Sequence, residues 1–263
     1  MNVYRIEGLT GEAVELAALW DLGCLGVQEE EGPGGLALLA YFEEKRALPV
    51  PGEWLELPDV DYVARYQAGL GPVRFGRLVV APSHSRVELV AGELALWLDP
   101  GSAFGTGHHE TTAMALTALT RLHLAGKSVL DLGAGSGLLA IAADRLGAEH
   151  AYGVDNDAAT IGVARENAAR NSSRARFAPG TLDTPGLPGH FDVVVANLYA
   201  ELHRSLFPTY VSRVVAGGRL ILSGILAQRR QLVEEAAPPS AELVGEDRAG
   251  DWLLLEYEVE GPR

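Results

Sequence analysis

Cysteine is almost absent from this chain: Cys24 stands alone among 263 residues. An internal disulfide framework and a cysteine-built zinc cluster are thereby excluded, and the usage fits a reducing compartment. Lysine is scarce as well, with Lys45 and Lys127 set against nineteen arginines. Basic charge falls short overall, giving a formal net charge of −14 and a pI near 4.9. Tight nonspecific binding to phosphate backbones needs clustered Lys and Arg, so direct nucleic-acid binding is not expected. No run approaches the roughly 18 uninterrupted apolar residues of a membrane span. The start, MNVYRIEGLTGEAVEL, lacks the basic and apolar regions of a secretory signal. A cytoplasmic protein with no membrane partner is expected. Internal repeats and low-complexity tracts are missing too.

With 48% apolar and 21% charged residues, the composition is that of a chain able to build a core. The length suits one large domain or two smaller ones. Twelve acids against three bases in the first sixty residues make either a solubilising face or a docking surface for a basic protein.

Three regions separate. In residues 1–58, VYRIE (3–7), CLGVQ (24–28) and LALLAYF (36–42) read as strands, the last two around the turn GPGG (32–35). The apolar spacing of 12–23 predicts a helix. This is a small α+β domain. Residues 59–98 read as a linker, with a short helix at 61–70 and strand pieces at 75–82 and 86–92. From 99 to 263 strands and helices alternate. Helices are expected at 110–124, 137–147, 157–171, 200–215 and 226–236. Strands are expected at 128–133, 150–155, 174–178, 191–197 and 219–224. Two more strand-like runs, joined at 248–250, close the chain as an antiparallel hairpin. Nearly all-apolar runs such as VVVA and LILS suit parallel strands covered on both faces. The fold class expected is α/β: a doubly wound sheet with a C-terminal hairpin, preceded by a small α+β domain.

The most informative string is VLDLGAGSGLLAIAADRLGA (129–148). A buried strand runs into Gly133, Gly135 and Gly137 and then into an apolar helix, so backbone N–H groups can approach a ligand with no Cβ between. A dinucleotide fingerprint begun at Gly133 requires glycine or alanine at 138, where Leu138 stands. A phosphate loop fails because no lysine occurs there. The next strand ends at Asp155, whose carboxylate can accept from both hydroxyls of a ribose. Asp157 suits the N-cap of the following helix. Together these features point to an adenosine-containing cofactor. Asn197 ends the fourth strand in NLYAEL, a partial likeness to the N-P-P-Y motif of amino-group methyltransferases. The adjacent His108 and His109, with Glu110, lack the i, i+4 spacing of a zinc helix, and no metal is expected.

The loop D-x-G-x-G-x-G, with Asp131 as its acid, resembles that of class I S-adenosylmethionine-dependent methyltransferases. Joined to DPGSAFGTGHHETT (99–112), GVDND and NLYAEL, it resembles the ribosomal protein L-eleven methyltransferase family (PrmA). That resemblance implies a Rossmann-like methyltransferase domain, an N-terminal substrate-recognition domain and a linker permitting domain motion. It implies S-adenosylmethionine as cofactor and methylation of lysine ε-amino and N-terminal α-amino groups on one large-subunit ribosomal protein. Carried onto this sequence, the cofactor-binding residues are Phe104, Thr106, Thr112, Asp131, Gly133, Gly135, Asp155 and Asn197. Asn197 is also the catalytic residue, orienting the substrate amine, and Phe104 and Thr106 sit in a flap over the ligand. Tyr62, Tyr66 and Ser83 stand where the family commonly has tryptophan. A monomer is expected. A nucleic-acid amino-group methyltransferase, a nicotinamide oxidoreductase and a noncatalytic module on the same fold remain as alternatives.

Overall fold

The computed structural model describes residues 2–7, 26–32, 35–48, 50–55, 71–98 and 109–260, together with Leu19, Leu22 and Cys24. The chain divides into two compact units, 1–65 and 66–263. The first holds β1 (Asn2–Glu7), β2 (Gly26–Gly32), β3 (Gly35–Phe42) and β4 (Glu53–Leu55), in the order β2-β3-β1-β4. Their pairings are antiparallel. Alternate residues of β1 and β3, namely Tyr4, Ile6, Leu38, Ala40 and Phe42, meet Leu19 and Cys24 in one core, as the period of two requires. Trp54 packs edge-on against Tyr4 and Phe42. Most of the expected helix at 12–23, all of 61–70, and Pro33 and Gly34 of the expected turn lie outside the described residues.

The second unit opens with β5 (Val73–Phe75), β6 (Leu78–Ala81) and β7 (Leu94–Trp97). β5 and β6 form a hairpin across Gly76, and β6 and β7 run parallel. The strand expected at 86–92 is instead irregular chain: its alternation is real, but Leu89 and Val90 are exposed. Glu93 closes that loop, accepting from the Val90 N–H (2.9 Å) and from Arg74 Nε (3.0 Å). The strand is β7, which starts eight residues after the expected start. Phe75, Leu78, Val80, Leu96 and Leu98 belong to the core of the second unit, so this half of the expected linker packs as part of that unit.

The remaining elements are α1 (Glu110–Arg121), β8 (Ser128–Leu132), α2 (Leu138–Arg145), β9 (His150–Asp155), α3 (Ala158–Arg170), β10 (Arg176–Pro179), β11 (Phe191–Asn197), α4 (Ala200–Arg213), β12 (Val214–Leu226), α5 (Arg230–Glu234), β13 (Ala241–Ala249) and β14 (Trp252–Val259). The sheet order is β10-β9-β8-β11-β12-β14-β13. The first five strands run parallel, and β14 lies antiparallel to both β12 and β13. Side chains alternate between the faces. Val129, Val193, Val195 and Ile221 pack with α1, α2 and α3, while Leu130, Val194, Ala196, Leu220 and Leu222 pack with α4 and α5. Apolar residues at every position are what two covered faces demand. Strand order reverses between β8 and β11, so the crevice at their carboxyl ends is the switch point where open α/β sheets bind ligands.

Candidate active site

The turn after β8 is built from glycines because the backbone there is left-handed: φ is +74° at Gly133, +49° at Gly135 and +78° at Gly137. Space adds a second requirement. A Cβ on Gly133 would lie 2.7 Å from Leu198 Cδ2, and one on Gly137 would lie 2.8 Å from Phe177 Cζ. The N–H groups of Gly133 and Ala134 both donate to the Val154 carbonyl (2.9 and 3.0 Å), which fixes the loop against β9.

Asp155, at the end of β9, locks the loop from the other side. Its Oδ2 accepts from the Gly135 N–H at 2.8 Å and its Oδ1 from the Asp157 N–H at 2.9 Å. Asp157 caps α3, accepting from the Ala159 N–H at 2.8 Å, as expected. Asp131 is 1% exposed. Its Oδ2 accepts from the Ala140 N–H at 3.1 Å, and its Oδ1 is buried without a hydrogen-bond partner among the described residues. Burial pushes this carboxyl up to about 7, the Ala140 N–H opposes the rise, and the charge of Asp155 adds to it.

Asn197 ends β11 opposite Ser223 of β12. Its Nδ2 donates to Thr112 Oγ1 at 3.1 Å, joining the buried first turn of α1 to the sheet. Gly224 follows Ser223 with φ at +83°. A Cβ there would meet the Leu198 carbonyl oxygen at 2.5 Å and Asn197 Oδ1 at 2.9 Å. Only glycine lets β12 pass so close to the asparagine.

Gly133, Gly135, Asp155 and Asn197 line one cleft of about 430 Å³. Gly133 and Asn197 also share a much smaller cavity, about 20 Å³, with Thr112. Asp131 lines neither, sitting beneath the loop. Phe104, Thr106 and His108 lie outside the described residues. His109 is the N-cap of α1, with Nδ1 2.9 Å from Thr111 Oγ1. Among the described residues no cluster of three or more His, Cys, Asp or Glu side chains could hold a metal.

Further lining comes from Thr181, Leu182 and Asp183 after β10, and from Leu202 and Leu206 of α4, of which only Leu202 falls within a sequence motif, as the last residue of NLYAEL. The loop after β10 follows from the rule that ligands sit at strand carboxyl ends. The two leucines follow only from knowing which face of α4 turns to the cleft. The cleft offers the Asp155 carboxylate, the Asn197 amide and an apolar wall, a set suited to a nucleoside.

Residues 36–259 match the family model described as ribosomal protein L11 methyltransferase (PrmA). The chain is 43% identical to a ribosomal protein L11 methyltransferase of Deinococcus radiodurans, over 97% of this chain and 98% of that one. It is 45% identical to the protein of the same name from Thermus thermophilus, over 98% of this chain and 99% of the other. Among solved structures it is similar to a ribosomal protein L11 methylase from Lactobacillus delbrueckii subsp. bulgaricus. There the TM-score is 0.65 at 32% identity, over 73% of this chain and 99% of that one.

Proposed function

This chain belongs to the ribosomal protein L11 methyltransferase family, and from that premise we propose that it methylates amino groups of ribosomal protein L11. The acceptors are lysine ε-amino groups and the N-terminal α-amino group, and the donor is S-adenosylmethionine. One observation carries this reading: Gly133, Gly135, Asp155 and Asn197 converge on a single cleft at the switch point of the sheet.

The residues fit that cofactor. Each Asp155 oxygen holds one backbone N–H and keeps a lone pair for a ribose hydroxyl. Leu182 supplies apolar surface for adenine, with Asp183 at its edge. Asp131 lies off the cleft and bears on the methionine part only indirectly, by holding the start of α2 through the Ala140 N–H. Thr112 completes the set, and Phe104 and Thr106 are assigned to cofactor binding with it.

When bound, S-adenosylmethionine supplies a methyl group already activated on a sulfonium, so this chain's own residues position and select. A lysine with a pKa near 10.4 is neutral in only about one part in 2,500 at pH 7, a deficit of roughly 4.6 kcal/mol. Only the neutral amine has a lone pair for attack. Leu198, Leu202 and Leu206 exclude water around it, which favours the neutral form. The Nδ2 of Asn197 is committed to Thr112, so its Oδ1 is the atom that accepts from the amine and aims it. The proton leaves to water.

The first unit, with the acidic run at 29–31, recognises the basic ribosomal protein. The protein acts as a cytoplasmic monomer, on protein rather than nucleic acid. The net charge of −14 supports the choice of substrate. The exposed large apolar side chains among those described are Leu89, Val90, Tyr199, Leu243 and Val244, too few for an obligate interface. No described helix is long and apolar enough to cross a membrane.

Asn197→Ala tests the reading, with methyl transfer and S-adenosylhomocysteine binding measured separately. Transfer is expected to fall about 100-fold, well beyond the loss in binding. Wild-type turnover would remove Asn197 from the mechanism.

A further inference from the structure

His203 is fully buried in α4, one turn after the Asn197–Leu198 corner, and both its ring nitrogens are engaged. Nε2 lies 2.8 Å from the Ser223 carbonyl oxygen. A carbonyl only accepts, so Nε2 carries the hydrogen. Burial pushes the imidazole down to about 4, so the ring is neutral at pH 7 and Nδ1 accepts from Tyr210 Oη at 3.2 Å. A leucine or phenylalanine would fill this space without burying two polar nitrogens, so packing alone does not account for the histidine.

The partner of the histidine is what gives it a role. The Ser223 carbonyl also accepts from the Leu198 N–H at 3.0 Å, and Ser223 stands opposite Asn197 in register. The Ser223 hydroxyl donates to the Thr111 carbonyl at 2.8 Å, and the next residue, Thr112, receives the Asn197 amide. Ser223 thus holds the asparagine corner twice, through the backbone of Leu198 and through the first turn of α1. His203 is the side chain that pins the Ser223 carbonyl.

We propose that His203 is a positioning residue for methyl transfer, holding Ser223 so that the Asn197 side chain stays aimed at the substrate amine. The proposal rests on the assignment of Asn197 above. It predicts coupling: whatever His203 contributes to turnover passes through Asn197.

The test compares His203→Leu, His203→Gln, Asn197→Ala and the double variant His203→Leu/Asn197→Ala. Methyl transfer to ribosomal protein L11 is measured alongside calorimetric binding of S-adenosylhomocysteine. His203→Leu is expected to lower kcat about 10- to 100-fold, as a misplaced catalytic group does, with the dissociation constant within about threefold. His203→Gln, whose amide can still donate to the Ser223 carbonyl, recovers kcat to within about fivefold of wild type. In the Asn197→Ala background, His203→Leu costs less than about twofold more. Nitrogen NMR is expected to show a neutral ring with the hydrogen on Nε2 from pH 5.5 to 8. Wild-type kcat in His203→Leu, losses that multiply independently, binding that falls in step with kcat, or a ring that protonates above pH 6 would each overturn the proposal. If His203→Leu does not fold, Tyr210→Phe replaces it. There, kcat is expected to drop about three- to tenfold, with the same insensitivity in the Asn197→Ala background; undiminished kcat would overturn the assignment. Failure of the Asn197 reading is seen separately, in the single Asn197→Ala variant.

Discussion

Single residues here carry opposite pH signatures. The Asp131 carboxyl is raised to about 7 by burial, so its contribution to stability is present below the unfolded value near 4 and is lost as pH rises through 7. That loss amounts to at most about 4 kcal/mol. Asp131→Asn removes the titration. The stability of the variant relative to wild type, from urea unfolding without cofactor, is therefore expected to improve from pH 4 to 7 and to level off above it. A flat difference would mean that Asp131 ionises normally. His203 runs the other way. Its folded value near 4 lies below the unfolded 6.5, so its contribution is present above pH 6.5 and fades as pH falls towards 4, by about 3 kcal/mol. His203→Gln abolishes that part of the acid slope. The meeting of Gly133, Gly135, Asp155 and Asn197 at one cleft was legible because strand ends and glycines mark the switch point. His203 was not, because its meaning depends on a carbonyl twenty residues away.

Elements differ in how much of their placement is local. β8, β9, β11 and their helices lie within a few residues of expectation, since continuous apolar runs and caps such as Asp157 are local signals. β7 was hidden. Its edge is held by Asn171, whose Oδ1 accepts from the Trp97 N–H (2.6 Å) and whose Nδ2 donates to the Trp97 carbonyl (2.8 Å). No pattern within 86–98 announces that pairing. Asn171→Ala strands both backbone groups and is expected to destabilise by about 2–4 kcal/mol, read from the urea midpoint at constant slope. The glycines supply a matched pair. Gly147 has φ at +105° with open space around it, whereas Gly137 faces Phe177 and Ala164. Alanine at 147 is expected to cost about 1 kcal/mol from backbone strain alone. Alanine at 137 costs more, because it also forces the loop away from α3. Equal losses would show that crowding at the loop is not what selects glycine.

At the scale of the whole molecule, every described residue lining the cleft belongs to the unit 66–263, while the first unit has its own core. Residues 66–263 expressed alone are therefore expected to bind S-adenosylhomocysteine within about threefold of the full chain and to lose most methyl transfer to ribosomal protein L11. The sequence pattern changes along the chain, but residues 71–98 look like connecting chain until their partners in the second core are known. The central claim is that the cleft between the glycine loop and Asn197 grips the cofactor through Asp155. Calorimetric titration of S-adenosylhomocysteine into the wild-type protein and Asp155→Ala tests it most directly. One molecule bound per chain, with affinity falling about 100-fold in the variant, is the result expected; no uptake by the wild type, or equal affinity in both, would contradict it.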